Sequence, residues 1–305
     1  MRTCALGNTG ISVSKLALGA AWIGVPEVEE RAVETVLGEA LDAGINFIDT
    51  AAMYKLSEER IGRYLAGRRD EVTIATKCGC YWEGSGEGAE LIEDYSPAAI
   101  VRTVERSRQK LRTDVIDVVQ FHGLPPVEGL DAAFEALLGL KDRGYARFVG
   151  VSEDGPAASA FAGKPTVGHD AAEIARRWPV DTWQFTYNFL SAEAGEELLP
   201  TLAELNIGTI VKRPLSNVVW AMTEEPEGDY FLRPWRRAQA LPLETISGGL
   251  PLVEFAMRFV LSHADVDTIL VGTTKPGRIA ENVQLAEKGA LPEEILAHAM
   301  DVIGG

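Results

Sequence analysis

Four side chains able to hold or move a proton stand at, or just past, the ends of short apolar runs. Asp49 and Tyr54 lie in "GINFIDTAAMY", Lys77 in "VTIATKCG" and His122 in "VVQFHG". A free tyrosine ionises near pH ~10, too high for easy proton exchange at neutral pH. A nearby ammonium stabilises the phenolate and lowers that value. A buried lysine in turn needs a partner to stay charged, and Asp49 is the available carboxylate. The His122 imidazole can hydrogen-bond a carbonyl oxygen and turn it toward the tyrosine. Together these groups suit protonation of an oxygen on which negative charge develops, as in carbonyl reduction. Singly, each has a plainer explanation: a turn aspartate, a packed tyrosine, a lysine reaching to water, a hydrogen-bonded histidine. The chemical reading requires all four to meet at one rim.

The elements that must bring them together are legible as an alternation. Short apolar, β-branched runs fall at "KLALGA" (15–20), "NFIDTA" (46–51), "VTIATK" (72–77) and "VIDVVQFH" (115–122). Four more follow at "RFVGVS" (147–152), "DTWQFTY" (181–187), "GTIVKRP" (208–214) and "DTILVGT" (267–273). Continuous apolar character over so short a length suits parallel strands covered on both faces. Helix patterns intervene at 31–44, 96–112, 130–144, 195–206, 251–264 and 276–289. Ser96 is set as an N-cap with Pro97 behind it, Gly44 closes the first helix, and Pro200 interrupts the fourth. Ser57 reads as the N-cap of a helix opening at "SEERIG". Eight strands, each followed by a helix and with no break in composition, imply an α/β fold. It is a (β/α)8 TIM barrel forming one domain over residues 1–305. The opening "RTCALGNTGISVS" reads as a β-hairpin capping the bottom of the barrel. Two long loops, 78–95 and 222–249, lie at the C-terminal face, where such barrels carry their sites.

With the strand ends aligned, the chain resembles the aldo-keto reductases, whose motif places Asp, Tyr, Lys and His in this order on these strands. The resemblance extends over nearly the whole chain. It implies hydride transfer between a nicotinamide and a carbonyl carbon, with Tyr54 as general acid, or as base in the reverse direction. It further assigns Ser152 and Gln184 to the nicotinamide carboxamide, and Leu215 and Ser216 to the pyrophosphate. Arg213 stands where many members stack an aromatic ring under the nicotinamide, and Glu153 where an amide is common.

No strand–GxGxxG–helix unit exists, and "GSGEG" (84–88) is a loop, so a Rossmann cofactor site is disfavoured. Barrels of this type instead bind phosphate with the loops after strands seven and eight and a helix N-terminus. "VGTTKPGRIAENV" (271–283) has that form: Gly272 and Thr273 in the turn, Lys275, Pro276 opening a helix, then Arg278, Glu281 and Asn282. Two cations at one helix start suit a phosphate. By resemblance Arg278 meets the 2′-phosphate region and Glu281 and Asn282 the adenine, which implies NADP(H), with NAD as the alternative. The phosphate-binding lysine of some members aligns with Gly272.

Trp22 at the first strand end, Trp82 in the first long loop, and Phe231 and Trp235 in the second are expected to wall the substrate pocket, Trp22 having a core position as its alternative. Lys55 follows Tyr54 where the family usually has glycine; its ammonium near the mouth suits an anionic substrate. A formal net charge of −16 without a basic run argues against nucleic acid and anionic membrane as partners. No apolar run approaches the roughly 18–20 residues that span a bilayer. The N-terminus lacks a signal-peptide pattern, so a cytoplasmic location is expected. Cys4, Cys78 and Cys80 form neither a disulfide framework nor a zinc ligand set, though Cys80 beside the site would be a reactive thiol. The expected partner is a small carbonyl or sugar. Two other readings use the same residues: an NAD-dependent sugar or alcohol dehydrogenase, and a nucleotide-binding, redox-sensing regulatory subunit.

Overall fold

Each of the eight apolar runs becomes a strand, because a parallel sheet sandwiched between side-chain layers can bury both faces of such a run. The computed structural model describes residues 1–84, 88–153 and 170–304. In chain order the strands are β1 (Thr3–Ala5), β2 (Ser12–Ser14), β3 (Leu16–Gly19), β4 (Phe47–Asp49), β5 (Thr73–Cys78) and β6 (Cys80–Glu83). They continue with β7 (Glu90–Glu93), β8 (Ile116–His122), β9 (Ala146–Ser152), β10 (Thr182–Thr186), β11 (Gly208–Lys212) and β12 (Thr268–Val271). The barrel closes in the order β3, β4, β5, β8, β9, β10, β11, β12 and back to β3.

Side chains alternate across a strand, so each barrel strand has an inner and an outer set. The outer residues, among them Ile48, Ile74, Phe121, Val151, Trp183 and Ile269, join the helices in one large core. Inside, Ala17, Phe47, Ala75, Val118, Ile210 and Leu270 pack with Leu6, Ile11 and Val13 of the antiparallel β1–β2 hairpin. The hairpin therefore plugs the N-terminal end, as expected. Burying the Leu6 side chain there is worth about 1.5–3 kcal/mol. Gly7 has φ +47°, and a Cβ on it would lie 2.2 Å from the Gly208 nitrogen, so the hairpin turn can approach β11 only with glycine.

Several local expectations need correction. Ser57 is the first residue of the helix Ser57–Tyr64, not its cap; its hydroxyl accepts from Thr50 Oγ1 and donates to the Ala20 carbonyl, both at 2.8 Å. The helix after β12 begins at Arg278, with Gly277 rather than Pro276 preceding it. Segment 78–95 contains the β6–β7 hairpin, and residues 85–87 of "GSGEG" lie outside the described residues. Segment 222–249 carries the helix Asp229–Ala240, in spite of Pro234. Phe231, Trp235 and Ala238 recur at helical spacing and pack on the core, and that burial outweighs the hydrogen bond Pro234 cannot donate. The helix Ala171–Arg177, capped by the Asp170 carboxylate, and the terminal helix Glu293–Gly304 were not among the sequence patterns.

Candidate active site

One layer above the apolar plug, the inner positions turn polar. Asp49 follows Phe47 by two residues, Lys77 follows Ala75, Gln120 and His122 follow Val118, and Lys212 follows Ile210. Ser152, the last residue of β9, is the register partner of Gln184 in β10. The period of two thus delivers these side chains to the C-terminal mouth of the barrel.

Lys77 is buried, and its Nζ donates to Asp49 Oδ1 at 2.6 Å, to Asp49 Oδ2 at 2.7 Å and to the Thr50 carbonyl at 2.9 Å. The same Asp49 Oδ1 accepts from Gln184 Nε2 at 2.7 Å, and Gln184 Oε1 accepts from Ser152 Oγ at 2.6 Å. Lys212 Nζ donates to Ser152 Oγ at 3.2 Å. A single chain of hydrogen bonds therefore joins β4, β5, β9, β10 and β11. Tyr54 faces this chain from the loop after β4: Lys77 Nζ lies 5.3 Å from its ring centroid. The His122 ring meets the Tyr54 ring edge-on at 5.6 Å. All four residues singled out for proton chemistry are thus gathered at one rim.

The loop that presents Tyr54 is held by short-range bonds. Tyr54 N–H donates to the Ala51 carbonyl, Ser57 N–H to the Tyr54 carbonyl, and Leu56 N–H to the Gly24 carbonyl. Lys55 adopts the left-handed region at φ 46°, the conformation for which glycine is favoured. Its exposed Nζ sits 5.9 Å from the Trp82 ring, and Trp82 Nε1 donates to the Met53 carbonyl at 2.8 Å.

The residues assigned to a nicotinamide cofactor are spread along the same face. Gln184 keeps one N–H and one carbonyl lone pair beyond its bonds to Asp49 and Ser152, which suits a carboxamide. Glu153 is buried, its N–H donating to the Gln184 carbonyl. Arg213 lies with its guanidinium carbon 4.4 Å from the Tyr230 ring centroid, and its Nη1 donates to Thr186 Oγ1 at 3.1 Å. It is Lys212, one residue earlier, that shares the inner parity of Ile210 and reaches Ser152. Sequence reading missed Lys212, although that parity was available. Leu215 is half-buried and Ser216 buried in the turn after β11, where Ser216 N–H donates to the Arg213 carbonyl.

At the helix Arg278–Glu287, Thr273 Oγ1 accepts from Lys275 N–H and Asn282 is buried, while Lys275, Arg278 and Glu281 are exposed. Arg278 pairs with Glu281, and the Gly277 N–H donates to Glu39 Oε2 at 2.8 Å. A Cβ on Gly272 would lie 2.8 Å from the Gly19 carbonyl oxygen and 3.3 Å from Trp22 Cδ1. This face carries donors and cations of the kind a dinucleotide takes, in Gln184, Ser152, Lys275 and Arg278.

Trp22 is 60% exposed, which removes the core alternative and leaves it beside Gly272 at the mouth. Phe231 and Trp235 pack partly against the main core, and Trp235 Nε1 donates to the Met222 carbonyl at 3.2 Å. Cys80 does lie beside the site, its thiol donating to the His122 carbonyl at 3.4 Å. Burial pushes it up to about 11, so it stays a thiol at neutral pH rather than a reactive thiolate.

Residues 15–301 match the family model described as the aldo/keto reductase family. The aldo-keto reductase YhdN of Bacillus subtilis is 30% identical, over 92% of this chain and 87% of that protein. The NADH-specific methylglyoxal reductase of Escherichia coli is 29% identical, over 93% of each. The holo form of aldo-keto reductase AKR11C1 from Bacillus halodurans superposes with a TM-score of 0.80 at 28% identity, covering 99% of this chain and 96% of that one. The barrel, its polar rim and these likenesses agree, and the chain belongs to the aldo/keto reductase family of oxidoreductases.

Proposed function

We propose that this protein reduces an aldehyde or ketone to the alcohol with NADP(H), Tyr54 delivering the proton. The observation that carries the reading is the buried Lys77–Asp49 pair, its ammonium 5.3 Å from the Tyr54 ring, with His122 edge-on to the same ring. A bound nicotinamide supplies the hydride. The chain's own residues do the rest. His122 orients the carbonyl oxygen, and the Tyr54 hydroxyl protonates it as charge develops. Lys77 lowers the cost of releasing that proton, and Asp49 holds Lys77 in place. Run backwards, the same groups oxidise an alcohol or a sugar. Ser152 and Gln184 would hold the carboxamide, and Lys275 and Arg278 the adenosine phosphate. We assign the activity to one barrel domain acting in the cytoplasm on a small carbonyl or sugar.

A second reading, NAD(H) as the cofactor, is favoured by one feature. Glu39 puts a carboxylate on the Gly277 N–H at the helix start, and Arg278 is already paired with Glu281. A 2′-phosphate would have to displace or tolerate both carboxylates. Steady-state oxidation of NADPH and NADH with a panel of carbonyls tests both readings. Turnover with NADPH, and a loss of NADPH affinity in Arg278→Ala, supports the first; affinity for NADPH unchanged in that variant removes the 2′-phosphate assignment. Cofactor binding with no turnover on any carbonyl would leave a nucleotide-binding subunit instead.

A further inference from the structure

The ladder between β5 and β8 ends at the register pair Cys78–Phe121, one residue short of His122. Gly79, at φ +96°, then turns the chain out of the barrel into the β6–β7 hairpin. The His122 carbonyl lies past that ladder, and two side chains from the hairpin segment donate to it. The Tyr95 hydroxyl is 2.6 Å away and the Cys80 thiol 3.4 Å. A neutral O–H at 2.6 Å is the stronger of the two, since a thiol is a weak donor.

Tyr95 is built tightly into this place. It is 8% exposed and meets Phe121 edge-on at 5.6 Å. Its ring and hydroxyl occupy the space of two missing side chains. A Cβ on Gly79 would lie 2.2 Å from Tyr95 Cε1, and one on Gly123 would lie 2.9 Å from the hydroxyl. Burial raises the phenol well above its ordinary value, so it stays an O–H donor through the working pH range. The hairpin that leads into Tyr95 also grips the loop that carries Tyr54, where Trp82 Nε1 donates to the carbonyl of Met53, the residue before Tyr54.

We propose that Tyr95 is a positioning residue, whose hydroxyl fixes the His122 backbone and so holds the imidazole against Tyr54. The hairpin is the brace that sets their spacing, held at one end by Trp82 and at the other by Tyr95. This rests on the carbonyl reduction proposed above. Tyr95→Phe keeps the ring in its slot and removes only the donor. With NADPH or NADH and methylglyoxal or glyceraldehyde as probe carbonyls, its kcat is expected to fall about ten- to hundredfold. Rates are counted per cofactor-binding site, so unfolded molecules do not enter. Cofactor Kd is expected within twofold of wild type, and the pH profile of kcat to shift because the imidazole no longer sits squarely against the acid. Cys80→Ala, which removes the weaker donor, is expected to lose less. A Tyr95→Phe enzyme whose kcat and pH profile match wild type within twofold overturns the inference, as does a larger loss in Cys80→Ala. A wild-type protein without carbonyl turnover would instead remove the reading of function.

Discussion

Asp49 Oδ1 accepts from both Lys77 and Gln184, so one carboxylate oxygen links the lysine beside Tyr54, the proposed proton donor, to the amide proposed to hold the cofactor. Removing either charge of the buried pair strands the other, a change that costs about 3–5 kcal/mol. Asp49, Lys77, Tyr54 and His122 were legible from sequence because each is a polar residue set at the end of, or just after, an apolar run. Lys212 was not, because "VKRP" offers two adjacent cations and only the inward parity of Ile210 separates them. Tyr95 could not have been found, since its role depends on a carbonyl brought to it by another strand. Lys55 is the residue whose two effects can be separated. Its left-handed backbone favours glycine, so Lys55→Gly is expected to raise stability by about 1 kcal/mol in urea unfolding. The same variant should raise KM for a carboxylate-bearing carbonyl such as glyoxylate, and leave methylglyoxal unchanged. Equal effects on both substrates would remove the steering role.

Between elements, Glu58 ties the helix Ser57–Tyr64 to β5, where its Oε1 accepts from Thr76 Oγ1 at 2.6 Å. Burial raises its carboxyl above the ordinary 4.5 and outweighs the Thr76 bond and Lys110, whose half-exposed ammonium is 3.9 Å away. The folded protein therefore retains a proton that the unfolded chain releases. The stability from that proton is complete below about pH 4.5 and is lost as pH rises through the raised value. Glu58→Gln keeps the acceptor for Thr76 and cannot ionise. Its urea midpoint is expected to gain on wild type as pH climbs above 4.5, whereas a constant offset would contradict this linkage. The eight barrel strands were readable because burial on both faces writes an unbroken apolar run. The helix Asp229–Ala240 was not, because Pro234 reads as a breaker until the core that receives Phe231 and Trp235 is known.

Across the whole molecule, stability and chemistry sit at opposite ends of the barrel. The plug of Leu6, Ile11 and Val13 fills the N-terminal end, and the hydrogen-bond chain from Lys77 to Lys212 crosses the C-terminal one. Leu6→Ala is expected to cost about 2–5 kcal/mol in urea unfolding while leaving kcat per folded site unchanged. A matching loss of kcat would show that the two ends are coupled. In the proposed reaction Tyr54 delivers the proton to a carbonyl oxygen within this rim, and Tyr54→Phe removes that hydroxyl alone. Single-turnover oxidation of bound NADPH or NADH by methylglyoxal or glyceraldehyde, followed in both proteins, addresses it most directly. The expected result is cofactor Kd within twofold of wild type and a rate lower by about a hundredfold or more. A Tyr54→Phe enzyme that oxidises the cofactor at the wild-type rate would contradict it.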